Sequence, residues 1–105
     1  MKAKVARKPS SRPFDAARYL RDQADMAAYL EAAAEEEDPR VLAAALGVVA
    51  RAFGMSKMAR KTGVAREALY RSLSADGNPE LQTVSKVLRA IGLRLAVQPV
   101  AEPPR

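Results

Sequence analysis

Apolar residues recur at intervals of three and four along most of the chain, the period of a helix with one buried face. Met26, Tyr29, Leu30 and Ala33 form the first such row. Asp22 or Asp25 ahead of it supplies a side-chain cap for the opening turn. Leu42, Leu46, Val49 and Phe53 make a second row. Asp38-Pro39 opens that row with an acidic cap and a proline at the first helical position, and Gly54 closes it. Met55 to Thr62 reads as a short helix stopped by Gly63, and Val64 to Ser74 as another, followed by the turn-rich Ala75-Asp76-Gly77-Asn78. Asn78-Pro79 repeats the cap-plus-proline start, and Leu81, Val84, Val87, Leu88 and Ile91 then share one face before Gly92.

Two further elements are expected at the ends. Asp15 caps an N-terminal helix, with Phe14 and Tyr19 as a hydrophobic staple around its first turn. Leu93-Arg94-Leu95-Ala96-Val97-Gln98 alternates with period two and reads as a short strand, whose simplest partner is its copy in a second subunit. Residues 1–12 contain only Val5 as a sizeable apolar side chain and read as a disordered basic tail. Residues 13–98 form the folded domain and 99–105 a C-terminal tail. The pattern amounts to an all-α domain of five to six helices with one terminal strand.

Composition narrows the chemistry. A chain of 105 residues, 49% of them hydrophobic, builds one core and not two. Aromatic residues are 5% and Trp is absent, a mix suited to thin, Ala-rich helices. The chain has no Cys, which excludes a disulfide framework, a thiolate nucleophile and a cysteine metal site. It also has no His, which excludes serine–histidine and cysteine–histidine catalysis and removes the commonest metal ligand. A binding protein is therefore expected rather than an enzyme, with no cofactor and no metal. No apolar run reaches the roughly 20 residues a bilayer demands, and the charged start has no hydrophobic stretch behind it. A cytoplasmic location is expected, with no membrane partner.

The net charge of +6 is unevenly spread. Residues 1–12 carry +5, residues 14–40 carry −5, residues 51–74 carry +5, and residues 75–105 carry +1. Basic blocks suit phosphates, and the acidic block suits a basic protein or a solvated surface. The second basic block coincides with the two short helices that meet at Gly63. Glycine there can take the positive φ of a tight turn between steeply crossed helices. Ala59, four residues before it, lets the helices cross closely, while Met58, Val64 and Leu69 fill the wedge between them. The second helix must then present Ala65, Arg66, Glu67, Tyr70, Arg71 and Ser74 outward, where Arg and Tyr can reach base edges in a major groove. Ser56, Lys57, Arg60 and Lys61 on the first helix are placed for phosphate contact. Two positions depart from the usual helix-turn-helix. Ala65 stands where a Ser cap is common, at a cost of about 1 kcal/mol. Ser72 stands where an apolar residue is common, with Leu73 as its substitute.

Arg12-Pro13-Phe14-Asp15-Ala16-Ala17-Arg18-Tyr19-Leu20, Ala28-Tyr-Leu-Glu-Ala-Ala33, Thr62-Gly-Val-Ala-Arg-Glu-Ala-Leu-Tyr-Arg-Ser-Leu73, Asp76-Gly-Asn-Pro79 and Val87-Leu-Arg-Ala-Ile-Gly-Leu-Arg-Leu95 together resemble the addiction module antidote family. These are lambda-repressor-like, Xre-type antitoxins encoded beside small RelE/HigB-like toxins, and the resemblance runs collinearly over about residues 12–98. It implies a lambda-repressor-like helical bundle that forms a homodimer, binds operator DNA in its own promoter, and neutralises an mRNA-cleaving toxin by direct contact. A stand-alone Xre-type repressor without a toxin partner is the alternative, and a protein-interaction module that binds no DNA is a third reading.

Three other features have competing readings. Glu35-Glu36-Glu37-Asp38 is either a solvated helix end or, for a basic toxin, an electrostatic docking surface. Lys2, Lys4, Arg7, Lys8 and Arg12 either track phosphates beside the operator or form an unstructured end. Tyr19 and Tyr29 are expected in the core and Tyr70 on the outside.

Overall fold

A computed structural model describes residues 15–101, and the staple residue Phe14 and the basic tail lie outside that range. A 3₁₀ turn over Ala16–Tyr19 leads into five α-helices: α1 (Gln23–Ala34), α2 (Pro39–Phe53), α3 (Met55–Thr62), α4 (Arg66–Ser72) and α5 (Leu81–Ile91). α2 is the central element and packs against the 3₁₀ turn and the other four helices, while α5 also lies along α3. Met58, Leu69, Val49 and Val87, one from each of α3, α4, α2 and α5, are the largest fully buried side chains. Met26 and Leu30 of α1 join the same core. Among the described residues no single helix is long and apolar enough to cross a membrane.

The local signals act as their chemistry dictates. Asp22 accepts the backbone N–H of Asp25 at 2.9 Å to start α1, and Asp38 accepts that of Arg40 at 2.9 Å to start α2, with Pro39 at its first position. α1 ends without a glycine, so Glu37 takes a left-handed φ of 58° in the loop to α2. α2 breaks at Gly54, where the chain turns through 102° into α3. α5 closes in a Schellman motif: Leu93 N–H bonds the Leu88 carbonyl at 2.8 Å and Gly92 N–H that of Arg89 at 2.9 Å. Beside α1, the Arg21 guanidinium hydrogen-bonds Asp25 at 3.0 Å and holds its carboxyl below the usual carboxylate range, helped by the Arg21 backbone N–H.

Two contacts join residues far apart in the chain. The Gln23 side-chain amide donates to the carbonyls of Ile91 at 3.0 Å and Gly92 at 3.3 Å, tying the start of α1 to the end of α5. Replacing Gln23 by Ala frees those helix-end acceptors and is expected to lower stability by about 0.5–1.5 kcal/mol, read from the midpoint of urea unfolding. Gly47 is buried in the middle of α2, and a Cβ built on it would run into the carbonyl oxygen of Leu73. The end of α4 therefore rests on the backbone of α2 with no side chain between them.

Four expectations are corrected. Leu93 to Gln98 is not a strand: no strand exists among the described residues, and Val97 is 98% exposed. Alternation alone gives the backbone no ladder, and among the described residues no second edge is present for those amides to meet. Leu93 does pack against the core, but as the closing residue of the α5 cap. Tyr19 is 64% exposed rather than buried, because Asp15 opens only a four-residue 3₁₀ turn, and Leu20 packs on the core instead. α5 starts two residues later than the Asn78-Pro79 signal: Glu80 is still extended, with φ −65° and ψ 151°, so Leu81 falls on the exposed first turn. α4 is shorter than Val64 to Ser74, since Ala65 is extended and helical structure begins at Arg66. Tyr29, by contrast, is partly buried against the core as expected.

Candidate nucleic-acid interface

The unit α3–Gly63–α4 is built from a few local bonds. Gly63 adopts φ 74°, ψ 10°, and its N–H closes α3 on the Ala59 carbonyl at 2.9 Å. A Cβ there would meet nothing within 4 Å, so the left-handed backbone angle alone demands glycine. Thr62 supports the turn from inside. Its buried hydroxyl donates to the Met58 carbonyl at 2.8 Å and accepts the Val64 N–H at 3.2 Å. Beneath the turn Met58 and Leu69 are fully buried, with Ala59 and Val64 packed against the same cluster. Leu73 is buried and Ser72 is only half-buried, so Leu73 takes the apolar place at the end of α4.

With that flank committed to the core, the remaining side chains face solvent. Ala65, Arg66, Glu67, Tyr70 and Arg71 are all exposed, Tyr70 to 45%, and Ser74 is half-buried. The Arg66 guanidinium lies over the Tyr70 ring, 5.4 Å from its centroid, with Nη2 3.5 Å from the phenolic oxygen. The two residues one helical turn apart thus form one stacked pair.

On α3, Ser56, Lys57, Arg60 and Lys61 are exposed. Lys57 Nζ sits 4.3 Å from the centroid of the Phe53 ring and Lys61 Nζ 5.9 Å from it. A half-buried aromatic at the end of α2 therefore gathers two ammonium groups, each such contact being worth about 0.5–1 kcal/mol at an exposed site. The pattern of the sequence assigned Phe53 to the core stripe and overlooked this second use. The 102° break at Gly54 separates Phe53 from both lysines, so no helical spacing signalled the contact. Thr62 was overlooked likewise, although a hydroxyl residue directly before a helix-ending glycine is a natural cap for the turn. The proposed site residues fall into two groups, Lys57 with Lys61 around Phe53 and Arg66 with Tyr70 on α4. Ser56, Ala65, Glu67 and Arg71 are exposed on the same two helices or at the turn between them.

Fold and surface together define a small all-helical domain in which two short helices joined at a glycine carry a cationic outer face. The sequence matches the family model described as "Probable addiction module antidote protein" over residues 10–99. An uncharacterized protein of Haemophilus influenzae strain Rd is 41% identical over 85 residues, which cover 81% of this chain and 88% of that protein. No solved structure matches the chain at a significant level. The chain belongs to the addiction module antidote family. Membership points to an antitoxin role, not a catalytic one, with a toxin as the partner.

Proposed function

We propose that this antidote is a DNA-binding antitoxin of a type II toxin–antitoxin module, a cytoplasmic protein that represses its own operon as a homodimer and neutralises a RelE/HigB-like ribonuclease toxin by direct binding. In this reading α3 and α4 are the helix-turn-helix of a lambda-repressor-like domain. α4 enters the major groove with Arg66, Glu67, Tyr70 and Arg71 toward the bases, and Ser56, Lys57 and Lys61 of α3 meet the phosphates. One observation carries it: on α4, Arg66, Tyr70 and Arg71 face solvent while Leu69 and Leu73 are buried. The +5 balance over residues 51–74 supplies the attraction a polyanion requires. Exposed Leu81, Leu95 and Val97 offer apolar surface for self-association, and a two-fold dimer matches a palindromic operator.

The test is a mobility-shift titration on the DNA upstream of the protein's own gene across a series of salt concentrations. Affinity should fall steeply as salt rises. Lys57→Ala should weaken operator and unrelated DNA alike and reduce the slope of log K against log salt by about one. An absence of any shift at low salt removes the DNA-binding reading and leaves the antitoxin role to stand on partner binding alone.

A further inference from the structure

We infer that the groove between α1 and α2 is the seat of the protein partner, and that it receives an amphipathic helix with a cationic edge. This deepens the proposal of direct toxin neutralisation and rests on it. The groove has a volume of about 590 Å³ and runs between the C-terminal half of α1 and the N-terminal half of α2. Ala33, Ala45 and Val48 line it, with Tyr29 and the exposed Val41 among its apolar walls. Small side chains on both helices leave space for a third helix to approach closely, and an apolar trough between two helices is a recurrent seat for one.

Charge selects the occupant. Glu36 and Asp38 line the same groove together with Arg40, next in sequence to Glu35 and Glu37, and residues 28–40 carry a net −4 with Arg40 as their only cation. Among the described residues neither Glu36 nor Glu37 has an ion-pair partner. Arg40 offsets one of these charges and Asp38 is engaged as the cap of α2, but the surroundings stay acidic, so the trough favours a segment that has Lys or Arg beside its apolar row and disfavours DNA and acidic segments. No residue of α3 or α4 lines the groove, so a partner seated there draws on none of the side chains proposed to meet DNA.

The experiment measures binding of the full-length antidote to the purified product of the reading frame adjacent to its own gene, by calorimetry at two salt concentrations. Two variants probe the groove separately. Glu36→Lys reverses an exposed charge. Val41→Gln puts a neutral polar group on the apolar wall without altering its charge, and position 41 is already 37% exposed, so folding is retained. The expected result is salt-sensitive binding by the wild type and at least a tenfold loss in each variant, with mobility shifts on DNA unchanged. Variants that bind that product as tightly as the wild type overturn the groove while leaving neutralisation intact. A wild type that does not bind it at all overturns direct neutralisation and the groove together. A change from dimer to monomer in either variant by sedimentation shows the groove to be a self-interface, which also overturns the inference.

Discussion

Replacing Arg66 by Ala should lower affinity for the operator by about 10- to 100-fold, the equivalent of the roughly 1–3 kcal/mol that one well-placed base contact supplies. Affinity for unrelated DNA should change far less, because Lys57 and Lys61, the residues proposed to meet the phosphates, are untouched. The origin of the effect is geometric. Arg66 lies over the Tyr70 ring, a stacking contact that restricts its guanidinium and would lower the side-chain freedom lost if it binds a base. Tyr70→Ala removes that support along with any contact of its own, and should resemble Arg66→Ala. The double variant should then lose less than the sum of the two, as expected of residues in direct contact. Tyr70→Phe keeps the ring and discards the hydroxyl, so it separates stacking from hydrogen bonding. The measurement is a competition titration of operator against scrambled DNA. If both alanine variants bind operator like the wild type, α4 is not the reading helix.

Leu69→Ala should act on the opposite flank of the same helix with the opposite signature. Leu69 of α4 is fully buried in the core cluster, and truncating such a side chain removes about 2–5 kcal/mol of stability through lost burial and the cavity left behind. For a domain of this size that is a large share of the roughly 5–15 kcal/mol that keeps it folded. Urea unfolding should shift its midpoint strongly. The neighbouring Tyr70→Ala, at an exposed site, should stay within about 0.5 kcal/mol of the wild type. The pair separates loss of fold from loss of recognition one residue apart. A Leu69→Ala protein as stable as the wild type would mean that the wedge between the helices is not a packed core.

The helices that were legible in the sequence are those whose ends are written locally. Asp22, the Asp38-Pro39 pair, Gly54, Gly63 and Gly92 each satisfy or terminate backbone groups within four residues of themselves, and the chain obeys them. The outward face of α4 was legible by subtraction: once Leu69 and Leu73 belong to the core, Arg66, Tyr70 and Arg71 have nowhere else to point. What failed depended on partners that a local pattern does not specify. The alternation of residues 93–98 describes a strand only where another edge is available. Asn78-Pro79 has the chemistry of a helix start, but the chain is still extended at Glu80. Tyr19 fits a helical staple, but the turn around it ends after four residues. The tie from Gln23 to the end of α5 and the contact of Gly47 with Leu73 bridge residues distant in the chain, and nothing near either residue signals them. Phe53 was read as core because a half-buried ring on an apolar stripe looks the same whether or not lysines rest on its open side.

The bare contact between Gly47 and the end of α4 bears on how such a protein could acquire new DNA targets. Where two main chains touch, no rotamer is available to absorb a shift, so the pitch of α4, the helix proposed to read DNA, is inherited from the molecule's central rod. Residues 66, 67, 70 and 71 can then be exchanged as a set, as one changes type in a fixed frame, and the replacements would meet a duplex at an unchanged angle. Any side chain at position 47 would tilt the frame itself, and with it every letter it carries.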